Sequence, residues 1–111
     1  MRNGYCKLFI DSDLRKSEIV DIIRRHTKGS AVADYVDSAR STFDVRDNDE
    51  HSFLKVNGND GFLYYRFYVD VEPTHPENLD AYVAELRTLM STLRALGAKV
   101  VPACDFEERL R

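Results

Sequence analysis

The stretch Phe62-Leu63-Tyr64-Tyr65-Arg66-Phe67-Tyr68-Val69-Asp70-Val71-Glu72 decides the fold. Successive side chains of a β-strand point to opposite faces, so a period of two marks a strand with one face on a core. Leu63, Tyr65, Phe67, Val69 and Val71 form an apolar row. Tyr64, Arg66, Tyr68, Asp70 and Glu72 form the other, which mixes tyrosine with charge. The first row predicts a long central strand packed against a core. The second predicts a face that looks away from it.

Working upstream, Ser41 to Arg46 alternates in the same way, Phe43 and Val45 against Thr42, Asp44 and Arg46. Between these strands lie a polar turn, Asp47-Asn48-Asp49-Glu50-His51, and a loop, Asn57-Gly58-Asn59-Asp60-Gly61, rich in residues that tolerate positive φ. Ser52 to Val56 carries Phe53, Leu54 and Val56 and is expected to pack down as a flap. For Ser30 to Arg40 a short strand, a helical turn and a packed loop are all open readings. Tyr5 to Asp11 is a first strand, with Cys6, Leu8 and Ile10 on one side and Tyr5, Lys7, Phe9 and Asp11 on the other. Ser12 and Asp13 are placed to cap a helix whose face carries Ile19, Ile22, Ile23 and His26, and Gly29 is placed to stop it.

Downstream, Pro73 ends the strand. Thr74 and Glu77 have capping-box spacing around Pro76. Leu79, Tyr82, Val83, Leu86, Leu89, Met90, Leu93 and Leu96 then trace one helical stripe, with Gly97 after it. Lys99 to Phe106 is a last strand, and Pro102 assigns it to a sheet edge because proline donates no ladder hydrogen bond. Glu107 to Arg111 is expected to fray.

The order is β-α-β-β-α-β. Right-handed crossovers put both helices on one side of the sheet. The expected fold is a ferredoxin-like α+β sandwich, a four-stranded antiparallel sheet with two helices on one face, in a single domain over residues 1–111. The other face is left open. In these registers it carries Tyr5, Lys7, Phe9, Thr42, Asp44, Arg46, Tyr64, Arg66, Tyr68 and Asp70.

The composition narrows the function. The formal net charge of -3 opposes a nucleic-acid partner, which requires a concentrated Lys/Arg surface. No stretch is apolar and long enough to span a membrane. Met1-Arg2-Asn3-Gly4 lacks the apolar run of a signal peptide, so a cytoplasmic location is expected. Cys6 and Cys104 are read as two buried free thiols in a reducing compartment, with a disulfide or a metal pair as the alternatives.

Aromatics on an open sheet suggest the stacking platform of an RNA-recognition module, with Phe9, Tyr64 and Tyr68 as its rings. Asp44, Asp70 and Glu72 beside them repel phosphate, and the Lys/Arg-Gly-aromatic-Gly pattern is missing. Tyrosine and arginine instead suit protein contact, since they bury area and keep a polar handle. The binding residues are therefore taken as Tyr5, Lys7, Phe9, Asp44, Arg46, Tyr64, Arg66, Tyr68 and Asp70, facing a protein partner or a second copy. Asp44, Asp70, Glu72 and Asp105 approach one another across strands, but Lys7, Arg46 and Arg66 make cross-strand ion pairs the simpler account. His26 is expected to be packed, and His75 to cap a helix. His51 is the one histidine placed to act as an acid or base. No catalytic residue, metal site or cofactor is expected, and Asp47 to Glu50 is a solvated turn because the calcium-loop spacing is missing.

The strand sequences Tyr5-Cys6-Lys7-Leu8-Phe9-Ile10-Asp11, Asp44-Val45-Arg46-Asp47-Asn48, Gly61-Phe62-Leu63-Tyr64-Tyr65 and Ala103-Cys104-Asp105-Phe106-Glu107 resemble those of a group of small acidic single-domain bacterial proteins of uncharacterised function. Some proteins of that type serve as immunity partners of secreted toxins. The resemblance implies a bacterial cytoplasmic domain and supplies no catalytic residues. Acylphosphatases fit less well, because their first strand leads into a Gly-rich, Arg-bearing loop and here that loop is Asp11-Ser12-Asp13-Leu14-Arg15. The expected function is a non-enzymatic protein-interaction domain that binds a basic partner. The alternative is a dimeric α+β barrel whose paired open faces enclose a small molecule.

Overall fold

The computed structural model describes residues 3–111. In chain order the elements are β1 (Cys6–Asp11), α1 (Lys16–Thr27), β2 (Ser30–Val32), β3 (Tyr35–Asp37), β4 (Ser41–Asp47), β5 (Phe67–Pro73), α2 (Asp80–Ala95) and β6 (Lys99–Ala103). Single 3-10 turns stand at Gly61–Tyr64 and Glu107–Leu110. All strand pairs are antiparallel, in the order β2-β3-β4-β5-β1-β6.

The strand alternations put the expected residues inward. Cys6, Leu8 and Ile10 of β1, Phe43 and Val45 of β4, Phe67, Val69 and Val71 of β5, and Val100 of β6 are all buried. They form one cluster with Ile19, Val20, Ile22 and Ile23 of α1 and with Tyr82, Val83, Leu86, Leu89, Met90 and Leu93 of α2. Burying these side chains supplies the main stabilising term, roughly 1.5–3 kcal/mol for each large apolar side chain. His26 on α1 meets α2 through its Nε2, 2.9 Å from Thr88 Oγ1.

The sheet has six strands, not the expected four. The added pair comes from the segment left open in sequence, where β2 and β3 form a hairpin turning at Ala33 and Asp34. β3 docks on β4 with Val36 opposite Phe43, which brings Val36 into the core. Val36 is the only inward residue of the hairpin, so no period existed to read.

The central strand begins at Phe67, not at Phe62. Its neighbours end there: β4 pairs Asp47 with Phe67, and β1 pairs Ile10 with Phe67. Residues before Phe67 therefore have no ladder to join. Residues 61–64 close a 3-10 turn instead, in which Leu63 N–H donates to Asp60 O at 3.1 Å.

Both expected helix caps are displaced. Ser12 Oγ accepts from Leu14 N–H at 3.0 Å and makes a turn ahead of α1. Glu18 Oε1 accepts the Arg15 N–H at 3.0 Å at the true start. Thr74 N–H donates across to Arg40 O at 2.9 Å, and His75 pairs with Glu77 at 3.4 Å without capping. Asn78 Oδ1 accepts the Asp80 N–H at 3.2 Å where α2 begins.

β6 ends at Ala103 rather than Phe106 and lies at a sheet edge, where Pro102 is tolerated. The tail is docked, not frayed. Leu110 is 2% exposed, Arg87 Nε donates to Arg109 O at 3.1 Å, and Arg109 Nη2 lies 2.8 Å from Asp80 Oδ1. Cys6 is buried and Cys104 half-buried, both as free thiols. Far apart in the chain, they end side by side between β1 and the end of β6.

Candidate functional site

The sheet face opposite the buried rows is assembled by register. β1, β5 and β4 place Lys7, Asp70 and Asp44 in one cross-strand row, and Phe9, Tyr68 and Arg46 in the next. Asp44 and Asp70 sit directly opposite each other, an arrangement that repels unless each carboxylate has its own partner. Each has one. Arg46 donates to Asp44 Oδ2 from Nε at 3.0 Å and from Nη2 at 2.8 Å. Asp70 accepts from the Tyr5 hydroxyl. Lys7 Nζ stands 4.2 Å from the Tyr68 ring centroid and 5.5 Å from that of Phe9.

Seven of the nine expected binding residues are therefore brought together: Tyr5, Lys7, Phe9, Asp44, Arg46, Tyr68 and Asp70. Tyr64 and Arg66 are not among them, because pairing ends at Phe67. Tyr64 lies in the 3-10 turn, with Lys55 Nζ 5.0 Å from its ring centroid. Arg66 is turned toward the β1–α1 junction. Its backbone N–H donates to Asp11 Oδ1 at 3.2 Å and its Nη1 to Ser12 O at 3.3 Å.

The segment from Asn48 to Arg66 is an anchored loop. Asn48 Nδ2 donates to Leu63 O at 3.0 Å and to Tyr65 O at 2.7 Å, and Asn48 Oδ1 accepts the Glu50 N–H at 3.1 Å. The Asn48 N–H reaches Arg66 O at 3.0 Å and the Ser52 N–H reaches Tyr64 O at 3.1 Å, so Asn48 and the backbone beside it clamp the neck. Within the loop the chain passes over itself so closely that a Cβ on Gly61 would lie 2.0 Å from Val56 O. Phe62 extends from this loop onto the sheet, with its ring 5.4 Å edge-on to Phe9. It covers one end of the face.

The expected flap behaves otherwise. Phe53 is 82% and Leu54 94% exposed at the loop's outer end, so neither packs down. His51 supports this tip. Its ring meets Phe53 edge-on at 4.8 Å and its Nδ1 lies 3.1 Å from Tyr64 O. Beside it opens a cleft of about 240 Å³ lined by Asp11, Asp13, His51, Phe53, Arg66 and Lys99 among others. Among the described residues no three His, Cys, Asp or Glu side chains gather as a metal-binding group, and no helix is long and apolar enough to cross a membrane.

Sequence reading missed Phe62 and Asn48. Phe62 was visible only as the start of a strand. Asn48 was hidden within a run of acids, although an asparagine that both donates and accepts to nearby backbone is a familiar loop clamp. Comparisons with protein-family models, with curated proteins and with solved structures gave no match for this chain.

Proposed function

We propose that this chain is a non-enzymatic protein-interaction domain that docks a basic protein partner across the open sheet face and the adjoining loop tip. The observation that carries this reading is the Phe53–Leu54 pair. Two consecutive large apolar side chains stand in solvent on a loop whose neck is hydrogen-bonded through Asn48. A contiguous exposed apolar patch on an otherwise ordered surface marks a contact site. The nearby face adds tyrosine and arginine, the residue types that dominate contact energetics. The exposed Asp49 and Glu50 beside the tip give its surroundings the sign that suits a cationic partner. The cleft beside Phe53 is smaller than the roughly 300–1,000 Å³ of small-molecule sites, and suits an inserted side chain.

Within this reading the architecture is a ferredoxin-like core of β1, α1, β4, β5, α2 and β6 that carries the β2–β3 hairpin as an edge addition. The central placement of β1 and β5 supports it. The biological role is immunity-like, in the cytoplasm of a bacterium: a small acidic chain that covers a basic toxin. The dimeric barrel is less well supported, because Phe62 covers one end of the face that a second sheet would have to pack along in full.

A photo-crosslinking residue placed at Phe53 tests the proposal in cells, with one at Ser91 on the exposed side of α2 as the control. A discrete adduct with a basic protein at position 53, absent at position 91, is expected. Identical adduct patterns at both positions would sink the reading.

A further inference from the structure

We propose that Cys6 and Cys104 form a dithiol site that small disulfides of the glutathione class oxidise to an intramolecular disulfide. The register makes the pair. β1 and β6 pair Leu8 with Pro102 and Lys7 with Ala103, and Cys104 follows directly after the end of β6, beside Cys6. Directly opposed antiparallel residues have Cα atoms about 4.5–5.5 Å apart. The adjoining rung, Lys7 with Ala103, thus falls inside the range of about 4.4–6.8 Å that a disulfide spans. The side chains already converge, with the sulfurs 2.7 Å apart.

The two thiols are unequal in a way that assigns their roles. Cys6 is wholly buried among the inward side chains, whereas Cys104 lies at the rim beside Phe106. Cys6 Sγ–H donates to Cys104 Sγ. This donation holds the Cys104 thiol below its ordinary range, and together with burial pushes the Cys6 thiol well above its own. Cys104 is the attacking group because the thiolate is the nucleophile and only Cys104 is reachable.

The exchange is balanced. The Cys104 thiolate attacks one sulfur of the small disulfide, forms a mixed disulfide and releases one small thiolate. Cys6 then loses its proton to that thiolate and attacks Cys104 Sγ, which breaks the mixed bond and releases the second small thiol. Two protein thiols are oxidised, and one small disulfide is reduced to two thiols. The new bond ties the inner strand β1 to the segment that leads into the docked Glu107–Leu110 turn. It closes a loop spanning most of the chain, which restricts the unfolded state.

The native protein is incubated with excess oxidised glutathione and followed by thiol titration, intact mass and peptide mapping. Wild type should lose both thiols, gain no glutathione, remain a monomer on a non-reducing gel and yield a linked Cys6–Cys104 peptide. Its urea midpoint should rise, and return on reduction. Cys6→Ser should accumulate a stable glutathione adduct on Cys104, with Cys6→Ala in its place if the serine variant does not fold. Cys104→Ser should react slower by about tenfold or more, as expected of a buried thiol. Two thiols that persist in native wild type, or a wild-type glutathione adduct that Cys6 never displaces, would overturn the proposal. Both observations are made on the unmodified chain and stand whatever the variants do.

Discussion

The amide of Asn48 reaches Leu63 O and Tyr65 O while its oxygen receives the Glu50 N–H, so three tethers end on one side chain. Asn48→Ala is expected to cost about 2 kcal/mol in a urea melt, at roughly 0.5–1.5 kcal/mol per net hydrogen bond. It should also speed proteolysis between residues 52 and 60. Asn48→Asp keeps the oxygen that receives the Glu50 N–H but cannot donate, so it should lose less stability and still speed the cleavage; unchanged cleavage in both variants would show that the neck is held by something else. Gly61 has no room for a side chain against Val56 O. Phe67, at the point where β1 and β4 both stop pairing, is 1% exposed. Phe67→Ala is expected to lose about 3–5 kcal/mol. A loss under about 1 kcal/mol would contradict the inward register of β5.

Elements differed in how plainly the chain announced them. α2 and the inward rows of β1, β4 and β5 were legible because a whole face of each is buried, so the apolar period runs their full length. The β2–β3 hairpin was not, because only Val36 enters the core. The first half of the quoted stretch alternated as well as the second, yet it did not become strand. Alternation records which side chains prefer burial, and a strand also needs a neighbour to pair with. For the same reason the candidate face was legible at Tyr5, Lys7, Phe9, Asp44, Arg46, Tyr68 and Asp70 but not at Tyr64 or Arg66. The tail was misjudged on its charge, since Leu110 alone reaches inward. Leu110→Ala should cost about 2 kcal/mol, the lower end for a buried leucine. An unchanged urea midpoint would return the tail to the frayed state. In the hairpin turn, Ala33 holds a φ of 52°, a region glycine occupies freely. Ala33→Gly should therefore raise stability by about 0.5–1 kcal/mol, and a loss in the same melt would contradict that turn geometry.

Across the whole molecule, the proposed contact at the loop tip and the stability of the fold should separate. Phe53 and Leu54 are solvated, so the double change to serine should leave the unfolding free energy within about 0.5 kcal/mol of wild type, while Leu54→Ser next to the crosslinking residue at position 53 should weaken the adduct. A large loss of stability would mean that the pair packs in the folded protein after all. If the partner is a different protein, sedimentation should give a monomer over a wide concentration range. A dimer that dissociates in the same double variant would instead make the partner a second copy. The sheet order carries one more consequence. β1 is synthesised first, yet its two neighbours are β5 and β6, the last strands to be made. During translation the segment Cys6-Lys7-Leu8-Phe9-Ile10 stays an unpaired apolar ribbon until β5 has been made and has emerged. The β2–β3–β4 meander meanwhile has its partners at hand. Nascent chains stalled before residue 67 should therefore recruit chaperones through their first strand.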